Sequence, residues 1–170
     1  MGRIIFITGG ARSGKSSFAL AAAEKFSGKK AFIATLEPLD NEMIARIERH
    51  RRDRGPEWET FEEPIEVAPL LGLLTGHRAV VLDCLTLWIA NLMARQRDVE
   101  KETQILLSAA RACSCPLFMV ANEVGMGIVP ENEMARQFRD LAGFANQKIA
   151  AAADEVYLVV AGIPIKIKEL

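Results

Sequence analysis

The stretch IIFITGGARSGKS, residues 4–16, decides the fold of this chain of 170 residues. An apolar run leads into the pattern Gly-x-x-x-x-Gly-Lys-Ser, and helical periodicity follows from Gly14. A glycine-rich turn between a strand and a helix lets backbone N–H groups point inward, where the positive end of the helix dipole reinforces them. The stretch therefore predicts a phosphate-binding loop (P-loop), in which Lys15 reaches the β and γ phosphates and the Ser16 hydroxyl ligates Mg²⁺. A turn without a ligand would not require both side chains.

Short, β-branched runs spaced tens of residues apart predict the strands of a sheet. They cover residues 3–8, 30–35, 78–83, 116–122 and 155–160. Helical periodicity fills most of the gaps, over residues 14–26, 40–54, 85–95, 100–112 and 131–152. Apolar strands that alternate with helices indicate a mainly parallel sheet covered on both faces. We therefore expect an α/β fold, a three-layer P-loop NTPase of the RecA-like class, in one domain over residues 1–170.

Two segments depart from this alternation. Residues 155–160 and 163–167 flank the dipeptide Ala161-Gly162, which is too short for a crossover and predicts an antiparallel hairpin at the edge of the sheet. Residues 55–69 carry three prolines and five glutamates. We interpret this second segment as a loop with a short helix after Pro64, and its acidic residues as a solvated face.

The composition limits the partners of the chain. Its 21 basic and 22 acidic residues leave a net charge of −1, so no global field attracts nucleic acid or an anionic membrane. Apolar runs are interrupted before the roughly 18 residues that a membrane span needs, and residues 4–7 are short for a secretory leader. Three cysteines, an odd number, do not form a disulfide framework and indicate reduced thiols in a cytoplasm.

Asp83 follows the wholly apolar residues 79–82, at the carboxyl end of a predicted strand. Open α/β sheets bind their ligands at this edge, and P-loop proteins use an acidic residue there to hold the Mg²⁺ water shell. Aspartate is also a favourable N-cap for the helix that follows, and the two roles are compatible. His77 precedes the same strand, so it belongs at the opposite edge and is a poor catalytic candidate.

A local basic cluster surrounds the other histidine. Its arginines are Arg46, Arg49, Arg51, Arg52 and Arg54, on either side of His50. On an ideal helix Arg46, His50 and Arg54 form one row beside an apolar row, where they could line a cleft. The guanidinium of an arginine can bind two phosphate oxygens at once, and a neutral imidazole can attack phosphorus. The alternatives are a solvated helix face and a nucleic-acid site, although no aromatic residues interleave with the arginines to stack on bases.

Residues 122–130, with the sequence NEVGMGIVP, follow the fourth predicted strand and so lie at the same carboxyl edge. Gly125 and Gly127 alone are a weak dinucleotide signal, because the third glycine is missing. A flexible loop that closes over a ligand and a plain connecting turn both remain open.

Taken together, these segments resemble the bifunctional adenosylcobinamide kinase / adenosylcobinamide-phosphate guanylyltransferase family of cobalamin biosynthesis. The resemblance runs from Ile5 to Lys168 and rests on an ordered set of motifs. These are TGGARSGKS (8–16), IAT (33–35), Met43 with ARI (45–47), His50, Trp58, DCLTLW (83–88) with Asn91, NEVGMGIVP (122–130), Arg136, FRD (138–140), Gly143, NQ (146–147), AD (153–154), Gly162 and Lys166.

The resemblance implies two reactions at one nucleotide site. ATP or GTP phosphorylates the hydroxyl of adenosylcobinamide, and GTP then guanylylates a histidine that passes GMP to adenosylcobinamide phosphate, with pyrophosphate released. His50 falls at the guanylylated position. Some members carry two adjacent histidines there, whereas this chain has Arg49 before His50. The resemblance also suggests a homotrimer, although residues 95–102 form a shorter segment than in some relatives and put any contact made there in doubt.

The expected site residues follow from the motifs and the resemblance together. His50 and Lys15 are the expected catalytic residues, and Ser16 and Asp83 the Mg²⁺ ligands. The expected nucleotide-binding residues are Gly9, Gly10, Ala11, Arg12, Ser13, Gly14, Lys15, Ser16, Ala34, Thr35, Arg46, Arg49, Arg51, Glu62, Asp83 and Glu123. Two other functions remain possible: a P-loop small-molecule kinase without guanylyl transfer, and a RecA-like ATPase or binding module.

Overall fold

Every strand in residues 2–37 and 54–169, the parts of the chain that this computed structural model describes, belongs to one sheet. The strands are β1 (Ile4–Gly9), β2 (Lys30–Ala34), β3 (Trp58–Glu62), β4 (Ala79–Asp83), β5 (Leu117–Asn122), β6 (Glu155–Val160) and β7 (Ile163–Glu169). The helices are α1 (Lys15–Ala23), α2 (Val67–Leu73), α3 (Leu85–Ala94), α4 (Val99–Ala112) and α5 (Glu133–Ala152). The helix predicted over residues 40–54 lies outside the described residues, except for Arg54.

The strand order is β3-β2-β4-β5-β1-β6-β7. All neighbouring strands from β3 to β6 are parallel, and β6 pairs with β7 in the antiparallel sense. Both the mainly parallel sheet and the hairpin at its edge are therefore confirmed. The turn between β6 and β7 is made by Ala161 and Gly162, both with positive φ, as a tight hairpin requires.

The side chains of β1 point alternately to the two faces of the sheet, and each face has its own hydrophobic core. Successive side chains of a strand point to opposite faces, and Ile4 and Phe6 pack on one face while Ile5 and Ile7 pack on the other, all of them buried. The first face is covered by α2, α3, α4 and α5. The second is covered by α1, which contributes Ala19 and Ala23. The chain therefore has three layers, and its described helices are unequally divided between the two faces.

The structure corrects the interpretation of residues 58–62 as a loop, because they form the edge strand β3. β3 pairs with β2 in the register Lys30↔Trp58 to Ala34↔Glu62. The Trp58 ring packs edge-on against Phe32 at 6.4 Å between ring centroids. An edge strand keeps part of its surface in water, so its sequence lacks the continuous apolar run that identified the central strands.

The acidic residues around β3 are exposed but take part in ion pairs. Glu57 lies 2.7 Å from the ammonium of the buried Lys30, and the hydrogen bond between them raises the pKa of Lys30 despite its burial. Glu66 lies 2.9 Å from Arg97, just before the short helix α2 that was predicted after Pro64. The Arg97–Glu66 pair is exposed on both sides and is expected to contribute little to stability. The Lys30 side chain is buried, so removing its carboxylate partners Glu24 and Glu57 would leave a buried charge without compensation.

The cysteines Cys84, Cys113 and Cys115 are free thiols and are buried. Burial raises the pKa of Cys84 and of Cys113 to about 11, which keeps both thiols protonated at neutral pH. Among the described residues, no helix has the length and hydrophobicity that crossing a membrane would require.

The two tryptophans offer a test of how the core fixes the connection before α2. The indole of the fully buried Trp88 donates a 2.9 Å hydrogen bond to the carbonyl of Ile65, which is also buried. Trp88→Phe leaves that carbonyl without its donor and removes core volume, so we expect the free energy of unfolding to fall by about 2 kcal/mol or more. Urea denaturation followed by circular dichroism measures the loss without relying on tryptophan fluorescence.

Trp58→Phe is the matched control. In the unmodified chain the indole of Trp58 donates to the carboxylate of Glu24. The Glu24 side chain has 53% of its surface exposed, so water replaces the donor that the variant lacks. We expect a loss below about 1 kcal/mol. Equal losses for the two variants would contradict the assigned role of Trp88.

Candidate active site

The carboxyl ends of β2, β4 and β5 and the loop after β1 border a cleft of about 620 Å³. Parallel strands end at the same edge of the sheet, so residues distant in sequence meet there. The cleft is lined by Ala11, Arg12, Ser13, Gly14, Lys15, Ser16, Ser17, Phe32, Ala34, Leu36, Arg54, Asp83, Cys84, Leu87 and Asn122. Six of the expected nucleotide-binding positions, residues 11–16, form one wall, and Ala34 and Asp83 lie in the others.

Two glycines let the P-loop follow its path. Gly9 ends β1 with φ of 154°, and a Cβ atom there would lie 2.3 Å from the carbonyl oxygen of Val159 on β6. Gly14 has φ of 96° and is the N-cap residue of α1. Glycine adopts these angles without the steric cost that a side chain brings. Neither Gly9 nor the exposed Gly10 lines the cleft, so their contribution is to the backbone of the loop.

Lys15 lies inside the P-loop with only 6% of its surface exposed. Its ammonium donates to the carbonyl of Gly10 at 2.6 Å and to the Ser13 hydroxyl at 3.4 Å. Burial lowers the pKa of Lys15, and the charge of Asp83 acts in the opposite direction. The carboxylate of Asp83 favours the ammonium form, which is the form that would bind a phosphate in this loop.

Thr35, expected to bind nucleotide, instead connects the ends of two strands. It is fully buried, its hydroxyl donates to the carbonyl of Cys84 at 2.7 Å, and it accepts from the N–H of Cys84 at 2.9 Å. The hydroxyl of Thr35 is therefore used within the protein, and the binding of nucleotide by Thr35 stays a prediction. Thr35 fixes the backbone next to Asp83 and is a positioning residue.

Asp83 ends β4 and faces the cleft. The N-cap of α3 is Cys84, and no side chain caps that helix, so the alternative role of Asp83 as an N-cap is not observed. The structure thus leaves the carboxylate of Asp83 at the strand end where a P-loop protein holds its metal.

The donor set of the cleft fits Mg²⁺. Ser16 offers an exposed hydroxyl and Asp83 a carboxylate, both of them oxygen ligands of the kind that Mg²⁺ prefers. No cluster of three or more histidine, cysteine or acidic residues suited to a metal occurs in the described part of the chain. Mg²⁺ takes one or two protein ligands and completes its shell with substrate phosphates and water, so Ser16 and Asp83 would be enough to hold it.

The remaining acidic candidates lie at the same edge but outside the lining of the cleft. Glu123 follows Asn122, and its carboxylate accepts from the N–H of Gly125 at 2.6 Å. Its own N–H donates to the carbonyl of Gly9 at 2.9 Å, so it joins the loop after β5 to the P-loop. Glu62 is exposed at the end of β3, in register with Ala34. His77 lies at the opposite edge, as predicted, 3.1 Å from Glu59.

Seven residues that line the cleft were absent from the list of expected site residues, and two of them, Asn122 and Arg54, carry polar side chains beside the phosphate-binding wall. Asn122 ends β5, and its N–H donates to the hydroxyl of Thr86 at 2.6 Å. The guanidinium of Arg54 stacks on the Phe32 ring at 3.8 Å from its centroid and donates to Thr60 at 3.1 Å. The helical row of Arg46, His50 and Arg54 was a signal for Arg54. For Asn122 the signal was its position at the end of a predicted strand, at the edge where such sheets bind ligands.

Four of the expected site residues lie outside the described residues. They are Arg46, Arg49, His50 and Arg51. The chain on either side of this segment does reach the cleft, since both Leu36 and Arg54 line it.

Comparison with known proteins decides the family. The family described as cobinamide kinase / cobinamide phosphate guanyltransferase matches residues 5–167. The chain belongs to this family. It is 44% identical to the bifunctional adenosylcobalamin biosynthesis protein CobU of Salmonella typhimurium and 42% identical to that of Escherichia coli, in each case over 97% of this chain and 99% of the relative.

A solved structure supports the fold class. The chain matches the crystal structure of the RadB recombinase with a TM-score of 0.51 and 18% identity, over 92% of this chain and 74% of that one. At that identity the likeness concerns the fold alone. It confirms the P-loop, RecA-like class expected of a member of the cobinamide kinase family.

Replacing Lys15 tests the P-loop as the nucleotide site. Lys15→Ala removes the buried ammonium, and each hydrogen bond between an ammonium and a phosphate contributes about 1.5–3 kcal/mol, so we expect GTP to bind at least about tenfold more weakly. Titration with a fluorescent GTP analogue in the presence of Mg²⁺ measures the change. Lys25→Ala removes the same charge from an exposed position beyond α1 and should bind normally; a similar loss there would point to net charge instead.

Thr35→Val tests the positioning role. The substitution keeps the shape but leaves the N–H of Cys84 without a partner, at a cost of about 1–3 kcal/mol in unfolding free energy. The carbonyl of Cys84 loses one of two donors and keeps the N–H of Trp88 at 3.2 Å. We also expect weaker Mg²⁺-dependent GTP binding, since the backbone beside Asp83 is released. Thr35→Ser keeps the hydroxyl and should restore both properties, and failure of serine to do so would rule out the hydrogen bonds as the cause.

Proposed function

We propose that this chain performs two successive transfers in the one cleft, as the resemblance and the relatives' names suggest: phosphorylation of adenosylcobinamide and then transfer of GMP to the product. The observation that carries the proposal is the meeting of Lys15, Ser16 and Asp83 at the end of the sheet in a chain of this family. Both reactions need a nucleoside triphosphate whose charge is neutralised, and this wall of the cleft supplies the groups for it.

In the first reaction the hydroxyl oxygen of adenosylcobinamide forms a bond to the γ phosphorus. The bond from that phosphorus to the nucleoside diphosphate breaks, and the hydroxyl proton is released to water. Lys15 and the backbone N–H groups of the P-loop bind the phosphates and stabilise the charge that develops on them. Ser16 and Asp83 would hold Mg²⁺, which when bound neutralises the phosphate oxygens.

In the second reaction the imidazole of His50 attacks the α phosphorus of GTP, and pyrophosphate leaves. A phosphate oxygen of adenosylcobinamide phosphate then attacks the same phosphorus, and the bond to the imidazole breaks to give adenosylcobinamide-GDP. An imidazole suits this role because it is partly neutral at pH 7 and its phosphoramidate remains reactive. The neighbouring arginines of the basic cluster are suited to binding the phosphates.

Chain connectivity supports the assignment of His50. Three residues lie between it and Arg54, which lines the cleft, so four residue steps place its Cα within about 14 Å of that of Arg54 at full extension. The two reactions act on different phosphorus atoms of a triphosphate bound by one P-loop. We therefore expect the bound nucleotide or the segment that carries His50 to move between them.

The proposal also covers the domain organisation, cellular location, phosphoryl donor and oligomeric state of the enzyme. It is taken to be a single domain over residues 1–170, to act in the cytoplasm with ATP or GTP as phosphoryl donor, and to form a homotrimer, as the resemblance suggests. Light scattering on the purified chain measures the oligomeric state, and a coupled assay with each nucleotide in turn identifies the donor.

GTP labelled at the α phosphate tests the covalent step. Incubation with Mg²⁺ and no cobinamide should give an acid-labile protein adduct with one GMP per chain and release pyrophosphate. His50→Ala should form none. The absence of an adduct on the unmodified chain, when nucleotide binding is intact, would overturn the guanylyl-histidine proposal.

His77→Ala is the control, because His77 lies at the opposite edge of the sheet. It should be labelled like the unmodified chain. His50→Ala should retain phosphorylation of adenosylcobinamide, which separates the two activities. Loss of both activities in a folded variant would mean that His50 serves the shared nucleotide site and not the transfer of GMP alone.

A further inference from the structure

The loop between β5 and α5 exposes a concentrated group of apolar side chains. Met126 has 83% of its surface accessible, Ile128 has 97% and Val129 has 60%. Residues 124–129, with the sequence VGMGIV, carry no charged side chain. We call residues 125–129 the apolar tip.

The apolar tip is fixed at both ends. On the β5 side, Glu123 is joined to the P-loop by the bond from its N–H to the carbonyl of Gly9, and its carboxylate accepts from Gly125. On the α5 side, the guanidinium of Arg136 donates to the carbonyls of Pro130 and Glu131, at 2.9 and 2.6 Å. The tip is thus a projecting loop on firm supports.

The tip adjoins the nucleotide cleft. Asn122, which lines the cleft, is the last residue of β5 and lies three residues before Gly125. β5 runs between β4, which ends in Asp83, and β1, which leads into the P-loop. A molecule bound against the tip would therefore extend to the place where phosphates are transferred.

The chemistry of the tip favours an apolar ligand. It offers no charge to a triphosphate, a peptide side chain or a nucleic acid, and its exposed surface is released from water only by an apolar partner. The flexible Met126 side chain adapts to irregular apolar surfaces. The nucleotide already has polar partners in the P-loop, so the second substrate is the molecule that needs such a surface.

We propose that the apolar tip binds the corrin ring of the cobinamide acceptor and thereby determines acceptor specificity. This inference rests on the proposed function, because that function supplies a large, ring-shaped acceptor whose hydroxyl or phosphate must enter the cleft. Met126 and Ile128 contact the ring, while Glu123 and Arg136 hold the loop in place.

The double variant Met126→Ser, Ile128→Ser tests the inference. Burying each side chain against a ligand contributes enough affinity that we expect the KM for adenosylcobinamide to rise at least about tenfold. The KM for nucleotide should change less than about twofold. Labelling of the chain by GTP in the absence of acceptor should be unchanged, because that half-reaction uses no corrin ring.

Leu73→Ser is the matched control, since Leu73 is an apolar residue with 76% exposure at the end of α2, just before the amino end of β4. Its KM values should equal those of the unmodified chain. Equilibrium dialysis of adenosylcobinamide, followed by its visible absorbance, gives the affinity directly. Wild-type affinity and KM in the double variant would overturn the inference.

Other outcomes are distinguishable. Should the unmodified chain lack activity on cobinamide, the proposed function itself would fail before the variants are compared. If the double variant loses nucleotide labelling and also changes mass in light scattering, the tip is a contact between copies of the chain, and the inference is overturned. A rise in KM for the acceptor alone, at unchanged mass, supports it.

Discussion

The parallel register of β1, β5 and β4 is the constraint on which the site depends. Gly9 is in register with Asn122, and Asp83 is in register with Val120 on one side and Ala34 on the other. Backbone hydrogen bonds of a parallel ladder fix these pairings. As a result the P-loop, Asp83 and Asn122 all lie at the carboxyl edge of the sheet. All three line the same cleft.

The edge hairpin supports this arrangement from the other side. The N–H of Gly162, in the turn between β6 and β7, donates to the carbonyl of Ser13 at 2.8 Å. β6 also approaches Gly9 so closely that no side chain would fit there. The hairpin therefore contributes to the shape of the P-loop, and the bond between Thr35 and Cys84 does the same for the end of β4. A phosphate site built from backbone groups needs such external supports, because short loops do not hold one conformation alone.

The electrostatics are local. A net charge of −1 gives the molecule no long-range attraction for polyanions, yet Lys15 is held as a buried cation beside Asp83. Arg12 and Arg54 add two more basic side chains to the lining of the cleft, and the guanidinium of Arg54 stacks on Phe32. The small polyanion that such a cleft suits is a nucleoside triphosphate. Residues 124–129 of the loop after β5 carry no charge and adjoin the cleft, so a polar wall for phosphates has an apolar neighbour.

The sequence by itself determined the strand, P-loop and helix of residues 4–23, the acid at the end of β4, the hairpin and the family, since these depend on local pattern. Only the tertiary structure decided the edge strand β3 and the buried hydrogen bonds that join Thr35 to Cys84. Both features depend on which distant strands pair and in which register. The entropic cost of bringing these strands together is offset by contacts between residues far apart in sequence, which no short stretch of sequence contains. A half-exposed strand such as β3 also lacks the apolar run that identifies its buried neighbours.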